Sequence, residues 1–412
     1  MSGVLKGMRV VEGSAFVAVP LAGMTLAQMG AEVIRFDRLE GGLDAKRWPV
    51  TPTGESLFWA GLNKGKKSVA VDMRSERGKE LISEIITAPG EDAGIFLTNL
   101  RVRGWMDYET LSQRRRDLIM VTLLGDREGR PAVDYTVNPS LGFPMATGPE
   151  GSTDPVAHVL PAWDCIAGGM AVNALLAAER HRLRRGEGQE AVLTLKDVAA
   201  AMLGNLGVIG EVATHDCDRA RSGNALYGAY GKDFLCADGR RVMVIGLTDR
   251  QWRGLVTITG TSDAMAALAA RLNVDLNQEG VRWEAREEIT AILAPWFAAR
   301  RIEDFAADFE TAGLTWSEFK TFREAVETDP DLSPENPMFS MLKQPGLGEF
   351  AVPGSPVDFS ALARQAPEPA PTLGRDTEEV LADVAGLTTR QIGGLFDDGV
   401  VSGPRTGLKA AA

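Results

Sequence analysis

The first 125 residues alternate short, continuously apolar runs with amphipathic stretches. No other feature of the chain constrains its fold as strongly. Arg9–Val11, Val33–Phe36, Ser68–Val71, Ile95–Thr98 and Leu118–Leu124 read as buried strands. Helical patterns lie between them. Pro20 suits the first turn of a helix that runs to Met29 and is closed by Gly30. Ser75 followed by Glu76 reads as an N-cap with an acid in the first turn, and Glu109–Arg116 gives another helix. Strands buried on both faces and joined by helices predict an α/β fold with a mostly parallel sheet.

Beyond this the pattern changes. Residues 125–162 are rich in Gly, Pro, Thr and Asp and read as long loops, which in a domain of this kind are functional or mobile. A long apolar helix follows from near Asp164 to Arg185, closed by Gly186 and Gly188. A strand at Ala191–Leu195 and a helix over Lys196–Thr214 complete the pattern. Asp238–Gly239 between two apolar runs predicts a β-hairpin. With Trp252, Trp283 and Trp296 as core anchors, 225–325 reads as a smaller α+β domain. Residues 329–373 are proline-rich and read as an extended wrapping segment, followed by helices at Thr377–Val384 and Thr388–Phe396. A chain of 412 residues exceeds what one core organises. The expected division is a large domain over 1–215, the small domain over 225–325, and a C-terminal part, 330–412, returning to the large domain.

Composition excludes several functions. Lys plus Arg is 44 against 56 Asp plus Glu, a net charge of −12, so nucleic acid is not an expected partner. Three cysteines without C-x-x-C spacing and three histidines, none paired at metal-ligand spacing, argue against a disulfide framework and a metal site. The reducing cytoplasm is the simplest compartment. No segment has the length and apolarity of a membrane span. The apolar run Ala15–Met24 follows Lys6 and Arg9 as in a signal peptide, but Glu12 interrupts it and the strand–helix pattern continues through it.

Ligands on a parallel sheet bind beyond the carboxyl ends of its strands. Gly13-Ser14-Ala15-Phe16 stands there after the first strand, not the G-x-G-x-x-G of a dinucleotide site. Arg38, Arg47, Arg101 and Arg103 fall in loops past strand ends, where arginines suit phosphates. Lys64-Gly65-Lys66-Lys67 is a further phosphate candidate, or else a solvated face, as is Arg114-Arg115-Arg116. Asn99 ends a buried strand and reads as a turn former or an amide that fixes a ligand. Asp164 opens the long helix. It reads as an N-cap, or as a carboxylate nucleophile that needs no general base to attack an activated acyl group.

Four stretches together resemble the class III CoA-transferases, the family of formyl-CoA transferase, carnitine CoA-transferase and α-methylacyl-CoA racemase. They are Leu5–Glu12 with Pro20 and Gly30–Arg35, Asn63–Asp72, Asp164-Cys165-Ile166-Ala167-Gly168, and Leu175–Arg180 leading to Gly186–Gln189. Gly246–Asp249 with Trp252 extends the likeness. Within the family, Tyr135–Pro139 and Leu160–Asp164 are similar to the branch acting on mesaconyl-CoA.

The resemblance implies an interlocked homodimer with a Rossmann-like large domain. It implies Asp164 as the nucleophile that becomes a CoA thioester, and CoA contacts at Phe16, Arg38, Val71, Asn99 and Leu100. Phe16 and Leu100 depart from the formyl-CoA transferase pattern. CoA enters as part of the substrate, so no separate cofactor is implied. The implied reaction moves CoA from carbon 1 to carbon 4 of one mesaconate. Transfer between separate acids shares its first half. The racemase branch requires a histidine where this chain has Val133.

Overall fold

The computed structural model describes residues 3–100 and 103–404. Six strands form in the order the apolar runs predict: β1 (Arg9–Gly13), β2 (Glu32–Asp37), β3 (Lys67–Val71), β4 (Ile95–Thr98), β5 (Ile119–Leu124) and β6 (Gln189–Thr194). All six pair in parallel, in the spatial order β3-β2-β1-β4-β5-β6. This is the doubly wound order of a Rossmann-like sheet.

Pairing register fixes what each face of the sheet carries. Val11 lies opposite Ile34 and Phe96, Phe36 opposite Val69, and Phe96 opposite Met120. These residues pack with Leu81, Ile82 and Ile85 of the helix Glu76–Thr87 and with Val380, Leu381, Ile392 and Leu395 near the C-terminus. Side chains alternate along a strand, so Glu12 and Arg35, paired in the next register step, face the other way. On that side, the helix Ala18–Gln28 packs against the long helix Ala162–Arg185.

Two compact units divide the chain. The first takes the chain up to Leu141, Val159–Gly210 and the part from Asp329 onward. The second takes Gly142–His158 and Glu211–Thr328. It carries an antiparallel sheet of β7 (Tyr230–Leu235), β8 (Arg241–Gly246) and β9 (Thr315–Glu318), with β8 central. The β7–β8 turn holds Gly239 at φ 81°, the left-handed conformation its hairpin needs. Its core is aromatic, with Phe234 stacked on Phe297 at 4.2 Å between ring centres. Of the three tryptophans expected there, Trp252 is buried while Trp283 and Trp296 are half-buried. Arg221 pins Gly142–His158 to this unit by donating to the carbonyl of Met145 at 2.7 Å.

Several expectations give way to the structure. The first helix starts at Ala18, two residues before Pro20. The single helix expected over Lys196–Thr214 is two, Leu195–Asn205 and Val208–His215, parted at Gly207 with φ 81°. The proline-rich segment contains a hairpin of β10 (Phe339–Gln344) and β11 (Gly348–Pro353). A last strand, β12 (Val401–Ser402), joins the large sheet antiparallel to β3. Among the described residues no single helix is long and apolar enough to cross a membrane.

Candidate active site

From β1 the chain proceeds through β2 and β3 on one side of the sheet, and from β4 through β5 and β6 on the other. The loops leaving β1 and β4 therefore diverge and open a crevice at the carboxyl ends of the strands. They are also tied to each other. Thr98 Oγ1 donates to the Gly13 carbonyl at 2.6 Å. The Asn99 side chain accepts from Ala15 N at 2.9 Å and donates to Ala15 O at 2.8 Å. The turn this creates forces Phe16 to φ 69°, a left-handed conformation costing a bulky residue about 1–3 kcal/mol. Its N–H donates to Asp44 Oδ2 at 3.2 Å.

A buried ionic network supports that turn. Arg35 reaches Asp37 at 2.9 Å and Asp44 at 2.8 Å, and it donates to the Ser14 carbonyl at 3.2 Å. Lys66 donates to Glu12 Oε1 at 2.9 Å, the Pro20 carbonyl at 2.8 Å and Asn63 Oδ1 at 2.9 Å. Glu12, the residue that breaks the apolar opening run, is thus the counter-ion of a lysine 54 positions later. The lysine cluster is not a phosphate site. Besides Lys66, Lys64 donates to the Pro353 carbonyl at 2.9 Å and Lys67 pairs with Glu32 and Glu379.

The crevice widens into a cleft of about 820 Å³ lined by Phe16, Val17, Ala18, Arg47, Phe58, Asn99, the stretch Gly129–Tyr135 and Asp164. Asp164 sits in the first turn of the long helix, but it does not cap it. The helix begins at Ala162 with Pro161 in the cap position. The cap comes from Asp134, fully buried, whose Oδ2 accepts from Trp163 N at 2.7 Å and Asp164 N at 3.3 Å. Those amides are therefore taken and do not serve as charge-stabilising donors for a substrate. The Asp164 carboxyl is left facing the cleft. Burial, then the negative charge of Asp134, push it up to about 6, and Arg47 opposes them. It is still largely ionised at neutral pH and is more basic than an ordinary aspartate. Four residues on, an added Cβ at Gly168 would lie 2.7 Å from the Ala18 carbonyl, so the Asp-x-x-x-Gly pattern records close packing of the two helices.

A second chamber of about 500 Å³ adjoins the first and shares Ala15 with it. Arg38 and Arg74 line it, with Met73, Leu100 and Trp105 as apolar wall. The structure thus brings Phe16, Arg47, Asn99 and Asp164 to one chamber and Arg38 and Leu100 to the next. Val71 is fully buried in the sheet core, though the chain leaving it forms the Asp72–Arg74 wall. Arg103 is exposed and lines neither chamber, and Arg101 lies outside the described residues. Local pattern gave no sign of Asp134, Asp44 or Arg74. No cluster of His, Cys, Asp and Glu among the described residues is arranged to hold a metal ion.

Comparison with known proteins gives a consistent picture. The model of CoA-transferase family III matches residues 5–377. The 2-methylfumaryl-CoA isomerase of Chloroflexus aurantiacus is 56% identical over 98% of this chain and 99% of its own length. The succinate–glutarate CoA-transferase of Agrobacterium fabrum is 26% identical over 92% of this chain and 95% of its own. A CaiB/BaiF family protein from Brucella suis has the same fold, with a TM-score of 0.75 over 93% of this chain and 100% of that one, at 24% identity.

Proposed function

Since the chain belongs to CoA-transferase family III, we propose that it isomerises 2-methylfumaryl-CoA to 3-methylfumaryl-CoA by moving CoA between the two carboxylates of one mesaconate. The observation that carries this reading is the basic, half-buried Asp164 carboxylate, facing a cleft whose neighbouring chamber presents Arg38 and Arg74. CoA lies with its phosphates toward Arg38 and Arg74 and its nucleotide against Met73, Leu100 and Trp105. Its thioester then passes Ala15 to reach Asp164.

Asp164 attacks the thioester carbonyl, giving a mixed anhydride and CoA thiolate. The thiolate attacks the aspartyl carbonyl of the anhydride, leaving aspartyl-CoA and free mesaconate. Mesaconate turns within the cleft, and its other carboxylate attacks the aspartyl thioester. The released thiolate then attacks the new acyl carbonyl and regenerates Asp164. The charge that develops on the carbonyl oxygen needs a donor, and the Ala18–Gln28 helix supplies the electropositive end. It has no side-chain cap, and Val17 and Ala18 line the cleft.

Mass spectrometry of enzyme quenched with substrate tests this reading: a CoA adduct on Asp164 supports it. Normal turnover without such an adduct, or by Asp164→Ala, overturns it. Labelled free mesaconate separates this reaction from transfer between two acids, because label in the product marks the intermolecular route. Racemisation lacks its base, since no histidine is among the described residues lining the cleft.

The reading includes a homodimer, supported by exposed apolar side chains on the first unit such as Leu183, Val192 and Leu206. Light scattering measures the dimer. The reading also includes a cytoplasmic location, supported by the free thiols of Cys165, Cys217 and Cys236.

A further inference from the structure

Two cations line the Asp164 chamber among the described residues, Arg47 and Arg130. Arg130 is engaged, donating to Asp126 at 2.6 Å and Glu128 at 2.8 Å. Arg47 is not. Its guanidinium makes no hydrogen bond or ion pair with a described residue. It lies 5.4 Å from the ring centre of Phe16 and 5.2 Å from that of Phe58. Stacking on aromatic faces holds the guanidinium plane while leaving the N–H donors at its edge free, and that fork matches a carboxylate. A cation held against two rings, with its donors unused and a nucleophile in the same chamber, is placed to pair with an anion.

Position decides which anion. Arg47 shares its chamber with Asp164, whereas Arg38 and Arg74 line the chamber suited to phosphates. Its charge is felt at the Asp164 carboxyl itself. The acyl group of the proposed substrate carries a second carboxylate at the far end of a planar double bond that cannot rotate. When one end is at Asp164, the other is therefore held at a fixed distance.

We infer that Arg47 binds the free carboxylate of a dicarboxylic acyl group while the opposite carboxylate is exchanged at Asp164, and so selects dicarboxylic over monocarboxylic acyl-CoA. The inference rests on the proposed function. It removes Arg47 from the CoA phosphates and gives it a part in both halves of the reaction. In the second half, the turned mesaconate presents the carboxylate it has just released. Phe16 acquires a reason for its strained backbone, since the left-handed turn brings its ring beneath the guanidinium.

The test compares mesaconyl-CoA with 2-methylcrotonyl-CoA, in which a methyl group replaces the distal carboxylate. The rate of CoA adduct formation on Asp164 is read for both in wild type, Arg47→Gln and Arg47→Lys, each checked for a wild-type melting temperature. Wild type is expected to prefer mesaconyl-CoA strongly. Arg47→Gln is expected to shrink that preference on the order of 100-fold, because a site built to pair a charged group rejects the analogue lacking it. Arg47→Lys is expected to recover part of it, since it keeps the charge and loses the fork. A preference unchanged in Arg47→Gln, or a loss equal for both thioesters, overturns the inference. If Arg47→Gln is misfolded, Arg47→Lys decides alone, and wild-type preference in that variant with wild-type rates counts against the bidentate role. Failure of the underlying reading looks different: wild type itself forms no adduct from mesaconyl-CoA.

Discussion

Asp134→Asn isolates the electrostatic role of Asp134 from its structural one. Asp134 Oδ2 accepts the amides of Trp163 and Asp164, while Oδ1 is buried without a hydrogen-bond partner among the described residues. Asparagine keeps an accepting oxygen for the cap and puts an NH2 where no described residue pairs with Oδ1. The helix start therefore survives, and the negative charge beside Asp164 is gone. The Asp164 carboxyl is raised from 3.8 to about 6, with burial as the larger cause and Asp134 the smaller. Removing the smaller one is worth up to about one pH unit, roughly 1.4 kcal/mol.

The nucleophile is the carboxylate, so kcat/KM rises with pH through the free enzyme's Asp164 acidity and then levels. In wild type the midpoint of that rise lies at about 6. In Asp134→Asn it moves down by as much as about one unit, while the plateau falls because a less basic nucleophile is weaker. The assay is kcat/KM for mesaconyl-CoA isomerisation from mildly acidic to mildly alkaline pH, with melting temperature as the control. A folded Asp134→Asn enzyme whose acid limb stays in place refutes the reasoning. Asp134→Ala is the contrast: it also loses the cap, at about 0.5–2 kcal/mol of stability.

Asp164→Asn should abolish adduct formation yet stabilise the fold at neutral pH. Folding raises the Asp164 pKa from 3.8 to about 6, making it a weaker acid. Its contribution is thus fully present below about 4 and lost as pH rises through 6, leaving a penalty of about 1–3 kcal/mol at neutrality. Denaturant titrations at acidic and neutral pH check this, since the gain over wild type must be larger at neutral pH. Gly168→Ala should cost about 1–3 kcal/mol by overpacking and reduce kcat, because the Cβ would meet the Ala18 carbonyl one helical turn from Asp164. Equal stability would show that the helices can part freely. Lys66→Met strands Glu12 inside the protein and should cost about 3–5 kcal/mol. The double change with Glu12→Gln should recover part of that in urea unfolding.

How much was legible in the sequence follows the range over which each interaction acts. Buried parallel strands announce themselves as short apolar runs, so β1 to β6 were placed to within a few residues. β12 is two residues long and carries no period. The β10–β11 hairpin was hidden because its strands are largely solvent-facing, with Met341 and Phe350 exposed, and because the prolines around it suggest extended chain. Gly207 breaks a helix that apolar pattern alone continues. Asp164 stands out because it opens a helix, and of its two readings the cap fails for a definite cause. Cap signals are local, and this cap arrives from Asp134, 29 and 30 positions away. The lysine cluster failed in the same way, since nothing near Lys66 in the chain reveals Glu12.

The long-range contacts that the sequence hides are also the ones that set the chemistry. One like charge and one opposite charge act on Asp164 from different elements, and their effects have opposite signs. Removing Asp134's charge moves the acid limb of kcat/KM down, whereas removing Arg47's moves it up. In Arg47→Gln a larger share of Asp164 is therefore protonated at neutral pH, and part of its rate loss is regained on raising pH. In Asp134→Asn nothing is regained that way. General damage to the cleft would shift both limbs alike or not at all. Opposed shifts in two folded variants require that both charges be felt at the same carboxylate, and limbs that stay in place in both would mean that the acidity of Asp164 is set by burial alone.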